Sequence, residues 1–197
     1  MAELRNEREE KGEVRNDKYD KSKNGNPASK TNHISPLSSL TSHLDFVADC
    51  TLESDLEMYF PDQYVPSDSE RMLLYRELDS TRDDRELEAY RQRLVDRFGQ
   101  LPRQAEELLH VVKLRRLGKQ LGCEKILLKQ GRMFLYFVSN TNSPYYQSDT
   151  FGRIIEYATA HVTNCQLREQ NAKRSMLITG VPSVQDAVKM LDDMAAT

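Results

Sequence analysis

The 197-residue sequence has no tryptophan and only three cysteines. Cys50, Cys123 and Cys165 are odd in number, far apart and without a CxxC pair. This excludes a disulfide framework and leads to the expectation of free thiols in a reducing cytoplasm. No apolar run approaches the roughly 20 residues of a membrane span, so no membrane partner is expected. The first 30 residues lack the apolar h-region of a secretory signal, and their acids argue against a mitochondrial transit peptide. A large charge of either sign is also missing. The formal net charge of −3 gives the whole chain no general pull toward nucleic acid or an anionic surface.

Chemistry-bearing motifs are equally sparse. Neither G-x-x-x-x-G-K-[ST] nor G-x-G-x-x-G occurs, so no nucleotide site of the common kinds is legible. His110 stands alone, and His161 with Cys165 makes two ligands where zinc wants three or four. No Ser, Cys or His has a partner arrangement that marks a nucleophile. Asp83, Asp84 and Glu86 fall where a helix begins, and there carboxylates offset the helix dipole. The sequence therefore predicts no catalytic, metal or cofactor-binding residue in this chain.

What is present divides into three parts. Residues 1–44 begin with eight Lys/Arg and seven Asp/Glu in the first 30, then run through a Ser-, Asn-, Gly- and Pro-rich stretch. They are expected to form a disordered or weakly helical arm. Residues 45–66 are expected to be an acidic extended linker ending in the proline strap "FPDQYVP". From 45 to 70 there are eight acids and no base. Phe46, Ala48, Cys50, Leu52, Leu56, Met58 and Phe60 keep one parity, which favours one bent strand or two short ones.

Residues 67–197 read as an α+β domain: a three-helix layer, then two β-hairpin/helix units forming a small antiparallel sheet. Ser67-x-x-Glu70 and Asp83 with Glu86 cap the first two helices. Pro102 suits the first position of the third, which ends at Gly122. Its apolar positions, from Ala105 to Leu121, predict the most buried helix of the three. A hairpin is expected to turn at Gln130-Gly131, with a second one between 161 and 180. Phe151, Ile154, Ile155 and Ala158 give the amphipathic helix between them, and Ser183-x-x-Asp186 opens the last helix.

One basic cluster stands out: Lys113, Arg115, Arg116 and Lys119. Cations of this kind suit the C-terminal half of a helix. A solvated face or a protein partner is the favoured reading, since no aromatic is interleaved with them; a DNA-binding patch is the alternative function.

The strings "FPDQYVP", "SERMLLYREL" and "RELEAYRQRLVDRFGQLP" together resemble the C-terminal, regulatory domain of bacterial transcription-repair coupling factors. The D-R-F-G-x-L-P run after a capped helix is the most specific part. The resemblance covers about residues 46–195 and is strongest over 60–122; residues 1–44 match nothing in it. It implies a piece of a larger ATP-driven DNA translocase, one that removes stalled RNA polymerase and recruits the damage-recognition ATPase of nucleotide excision repair. ATP and magnesium are then expected only in motor domains that this chain lacks. The resemblance implies a non-catalytic, autoinhibitory role and a cytoplasmic, nucleoid-associated location. The partner would be the N-terminal, excision-repair-helicase-like module of the same protein, whose recruitment surface this domain would mask. It also implies a charged clamp on the helix ending in D-R-F-G. Asp96 and Arg97 fit that pattern, whereas Arg93 departs from it, because an acid is common there. A local Asp96–Arg97 pair is the plain alternative for those side chains.

Overall fold

The strap and the three helices after it form the first layer. The computed structural model describes residues 45–196; the arm expected over 1–44 lies outside them. Helix α1 is Asp68–Asp79, α2 is Asp84–Phe98 and α3 is Arg103–Gln120. The Ser67 hydroxyl accepts the Glu70 N–H, and Asp83 accepts the Glu86 N–H at 2.8 Å. Each satisfies a donor that the helix cannot. Pro102 stands one residue earlier than expected, at the N-cap of α3. Its carbonyl accepts from the Ala105 and Glu106 N–H groups at 3.0 and 3.1 Å, so the proline serves through its acceptor rather than its missing donor.

Phe60 and Val65 of the strap are buried with Leu74, Leu78, Tyr90, Leu94, Leu101, Ala105 and Leu109. Three hydroxyl contacts fix this small core. The Phe60 N–H donates to the Tyr75 hydroxyl at 2.9 Å. Tyr90 donates to the Leu74 carbonyl at 2.9 Å, and Tyr64 to the Gly99 carbonyl at 3.1 Å. The strap is not extended throughout. The Pro61 carbonyl takes both the Tyr64 and Val65 N–H groups, which turns the chain between its prolines. Arg71 then reaches back to the Val65 carbonyl at 2.6 Å and to Asp62 at 3.1 Å.

The second layer is a sheet of β1 Thr51–Ser54, β2 Cys123–Lys129, β3 Arg132–Phe137, β4 Cys165–Gln170 and β5 Lys173–Thr179, in the order β1-β2-β3-β5-β4. Four strands form the antiparallel sheet that was expected. The fifth, β1, pairs parallel with β2, so the sheet is mixed. Parallel neighbours need a long crossover, and α1, α2 and α3 together supply it. The alternating segment before the strap thus yields one short strand. Both hairpins turn on left-handed residues: Gln130 and Gly131 at φ 53° and 66°, Asn171 and Ala172 at φ 52° and 58°. Such pairs match the twist of the flanking strands.

Helix α4 is Asp149–Ala160 and α5 is Val184–Ala196. With the second half of α3 they cover the sheet face that carries Ile126, Leu128, Met133, Leu135, Met176 and Ile178. In α4 the buried positions are Ile154, Tyr157 and Ala158, while Ile155 is exposed against expectation. A 3-10 turn at Pro144–Gln147 inserts Tyr145 completely, and its hydroxyl donates to the Leu121 carbonyl at 2.6 Å. Gly122, at φ +74°, lies under that ring; a Cβ there would stand 2.3 Å from it. Gly118 lets α3 approach both neighbours, since a Cβ would meet Cys50 Sγ and Ile126 Cδ1 at 2.7 Å.

Candidate interdomain face

Helices α1 and α2 share an outer face built as a ladder of charges. Arg93 pairs with Glu77, and Arg97 with Glu70. The two guanidinium groups also lie over rings of their own helix, Arg93 at 5.5 Å from Tyr90 and Arg97 at 5.1 Å from Phe98. Helical spacing puts each pair on one face: Arg93 and Arg97 are four residues, one turn, apart on α2, and Glu70 and Glu77 are seven residues, two turns, apart on α1. Leu73 sits between the two glutamates in sequence and is 62% exposed. Such solvated pairs stabilise by about 0–1 kcal/mol each.

Asp96 and Arg97 do not pair with each other. The Asp96 carboxylate accepts from the Gln92 side-chain amide at 2.9 Å and meets no cation among the described residues. Arg93, Asp96 and Arg97 therefore lie on one solvent-facing ridge, with one carboxylate left without a counter-charge. The acids that engage the arginines come from a different helix, and the sequence held no signal for that choice.

The basic cluster has another fate. Lys113 pairs with Asp192 at 2.7 Å and with Asp84 at 3.5 Å. Arg115 holds Asp49 at 2.8 Å, Asp79 at 3.3 Å and the Cys50 carbonyl at 3.1 Å. Arg116 pairs with Asp84 at 2.7 Å, and Lys119 with Asp45 at 2.8 Å. Each of these cations meets at least one carboxylate from another element. The cluster is a set of staples between α3, the segment before β1, the end of α1, the start of α2 and α5.

Glu107 escaped sequence reasoning. It is the one buried charged side chain among the described residues, and its Oε2 accepts the Val184 N–H at the start of α5, at 2.7 Å. The signal was an acid on an apolar stripe, since Glu107 precedes Val111, Leu114 and Gly118 by four, seven and eleven residues. His110, one turn on, has its pKa lowered by burial, against the opposing pull of Glu107 and Glu106. Among the described residues no group of three or more His, Cys, Asp and Glu is placed to hold a metal ion. No helix among them is long and apolar enough to cross a membrane.

A mixed sheet backed by helices on one face, preceded by a capped three-helix layer, defines an α+β domain of the kind seen at the C-terminus of transcription-repair coupling factors. The crystal structure of such a C-terminal domain aligns with a TM-score of 0.58 at 14% identity, over 75% of this chain and 94% of that one, and so shares the fold. The family model described as TRCF domain matches residues 54–148. The transcription-repair-coupling factor of Rickettsia bellii is 26% identical over 121 residues, which is 61% of this chain and 10% of that protein. The Escherichia coli factor is 33% identical over 75 residues, 38% of this chain and 6% of that protein. The Mycobacterium bovis factor is 35% identical over 74 residues, with the same 38% and 6%. The chain thus spans about a tenth or less of the length of these relatives.

Proposed function

We propose that this domain is a non-catalytic, autoinhibitory element of a transcription-repair coupling factor, and that the ridge of Arg93, Asp96 and Arg97 is its docking face. The observation that carries the reading is Asp96. It is an exposed carboxylate with no cation partner among the described residues, flanked by two arginines whose own pairs are solvent-exposed. A partner surface offering a cation to Asp96 and an acid to the arginines would complete the pattern. In the closed state the face packs on another module of the same protein, the excision-repair-helicase-like one, and masks the surface that recruits the damage-recognition ATPase. Opening exposes that surface and frees the motor to act on DNA and stalled RNA polymerase. The energetics suit a switch. Solvated, the ladder contributes about 0–1 kcal/mol per pair. Desolvated against a partner, truncating one member costs about 2–5 kcal/mol. The difference biases a two-state equilibrium.

The test is charge reversal in a full-length factor carrying this domain. Asp96→Lys and Arg97→Glu, singly and together, are expected to raise ATPase rate and binding of the damage-recognition ATPase. Unchanged values in all three variants would remove this face from the clamp. Incubating the isolated chain with ATP is expected to yield no hydrolysis. DNA binding by Lys113, Arg115, Arg116 and Lys119 draws no support from the geometry, because carboxylates of other elements already occupy each cation.

A further inference from the structure

The helices lie on one face of the sheet, and the opposite face has its own composition. Leu127, Phe134 and Leu177 stand side by side there, in register across β2, β3 and β5, and belong to neither core. The neighbouring row runs Lys125, Tyr136, Ser175, Arg168, and on the other side come Lys129, Arg132 and Thr179. Strand alternation places all of these on the same side, with Lys173. Five cations therefore share the open face. The one acid that the strands place there is Glu53 of β1, and it is taken by Lys125 at 2.7 Å. Lys129, Arg132, Arg168 and Lys173 meet no carboxylate among the described residues. In a chain of net charge −3, this is a local excess that composition does not explain.

We propose that this open sheet face binds single-stranded DNA, with bases stacked on Phe134 and Tyr136 and phosphates held by Lys129, Arg132, Arg168 and Lys173. The two rings are two residues apart on the central strand, so their anchors are about 6.7 Å apart. That geometry offers successive bases a platform, as sheets with paired aromatics do for single strands. An acidic protein would need the cations but not the rings. A duplex keeps its bases stacked inside and has no use for them either. The side chains flanking Phe134 are Leu127 and the buried Leu177, so the apolar part of the row suits a deoxyribose and its first polar group is Gln166, one strand further on.

Fluorescence anisotropy of the full 197-residue chain with labelled oligo(dT) of about 15 nucleotides, the upper range for one such platform, tests this. Binding is expected to weaken with salt at a log–log slope of about −3, as four phosphate contacts give on a single strand. Duplex of equal length is expected to bind at least about tenfold more weakly. Arg132→Glu and Lys129→Glu, both at exposed positions, are expected to cost about tenfold each. Phe134→Leu and Tyr136→Leu, which keep the apolar bulk but remove the ring, are expected to cost several-fold. Lys189→Glu, on α5, is expected to change nothing. The proposal is overturned by no anisotropy change at low salt, which is the outcome if a second copy or another part of the chain covers the face. Equal affinity for duplex, tighter binding of oligo(rU), competition by polyglutamate at equal charge, or indifference to Arg132→Glu would overturn it as well. None of these measurements involves the α1–α2 ridge, so failure here leaves the clamp reading standing, and the reverse.

Discussion

The small core around Tyr90 and the large core behind the sheet share α3, yet they are assembled differently. The small one draws on residues 60–109, neighbours in sequence, and closes over itself with tyrosine hydroxyls and an exposed ladder of charges. The large one gathers side chains from Val47 to Met194 and includes three fully or nearly buried thiols. The first half of α3 gives Ala105 and Leu109 to one core. The second half gives Leu114 and Leu117, with the C-cap Leu121, to the other. A single helix can thus belong to two cores if its buried stripe turns around the axis. The basic side chains of its second half then bind the flanking elements to it.

Substitutions can separate the two regions. The largest effect is expected from Gly122→Ala, which adds a Cβ 2.3 Å from the Tyr145 ring at a positive φ. Overpacking and the left-handed backbone each cost about 1–3 kcal/mol, and the loss should appear as a large drop in melting temperature. Next comes Leu94→Ala, expected to cost about 2–5 kcal/mol within the small core. Hydrogen exchange sharpens the comparison here. If the cores open separately, protection falls in α1 and α2 while β2, β3 and β5 keep theirs; uniform loss would merge them into one unit. Glu107→Ala leaves the Val184 N–H without its acceptor and is expected to cost about 1–3 kcal/mol. Glu107→Gln keeps a carbonyl oxygen there and should cost less, as denaturant midpoints would show.

The buried thiols of the large core add a pH dependence. Burial, helped by the Asp49 charge and opposed by Arg115, pushes the Cys50 thiol from its ordinary 9.0 up to about 12. Burial raises Cys123 and Cys165 as well. Above pH 9 the unfolded chain releases these protons and the folded one does not. Stability is therefore fully present below pH 9 and is lost as pH rises toward 12. Thermal melts across that range would show it, and a Cys50→Ala variant should flatten part of the slope. His110 works in the opposite direction, with its contribution present above pH 6.5 and lost on acidification, because its folded pKa is lowered.

Local chemistry was the legible part of the fold. Ser67, Asp83 and Ser183 cap where their spacing put them, and Gln130-Gly131 turns the first hairpin. These features depend on residues a few positions apart. The parallel seat of β1 beside β2 did not follow from alternation, because alternation fixes which side chains face inward but not which strand is the neighbour. The candidate site divides the same way. That Arg93 and Arg97 share a face follows from a helical turn. That Glu77 and Glu70 meet them depends on how α1 packs, and that Asp84 and Asp192 bind Lys113 depends on three helices at once.

Helix α3 has 18 residues, about 27 Å at the ordinary helical rise. The strap and the charged ridge are attached at one end, and the sheet is bolted to the other through Cys50, Ile126 and the close passage at Gly118. Mechanically this is a cantilever. Lys113, Arg115 and Arg116 brace the beam against its neighbours near its middle.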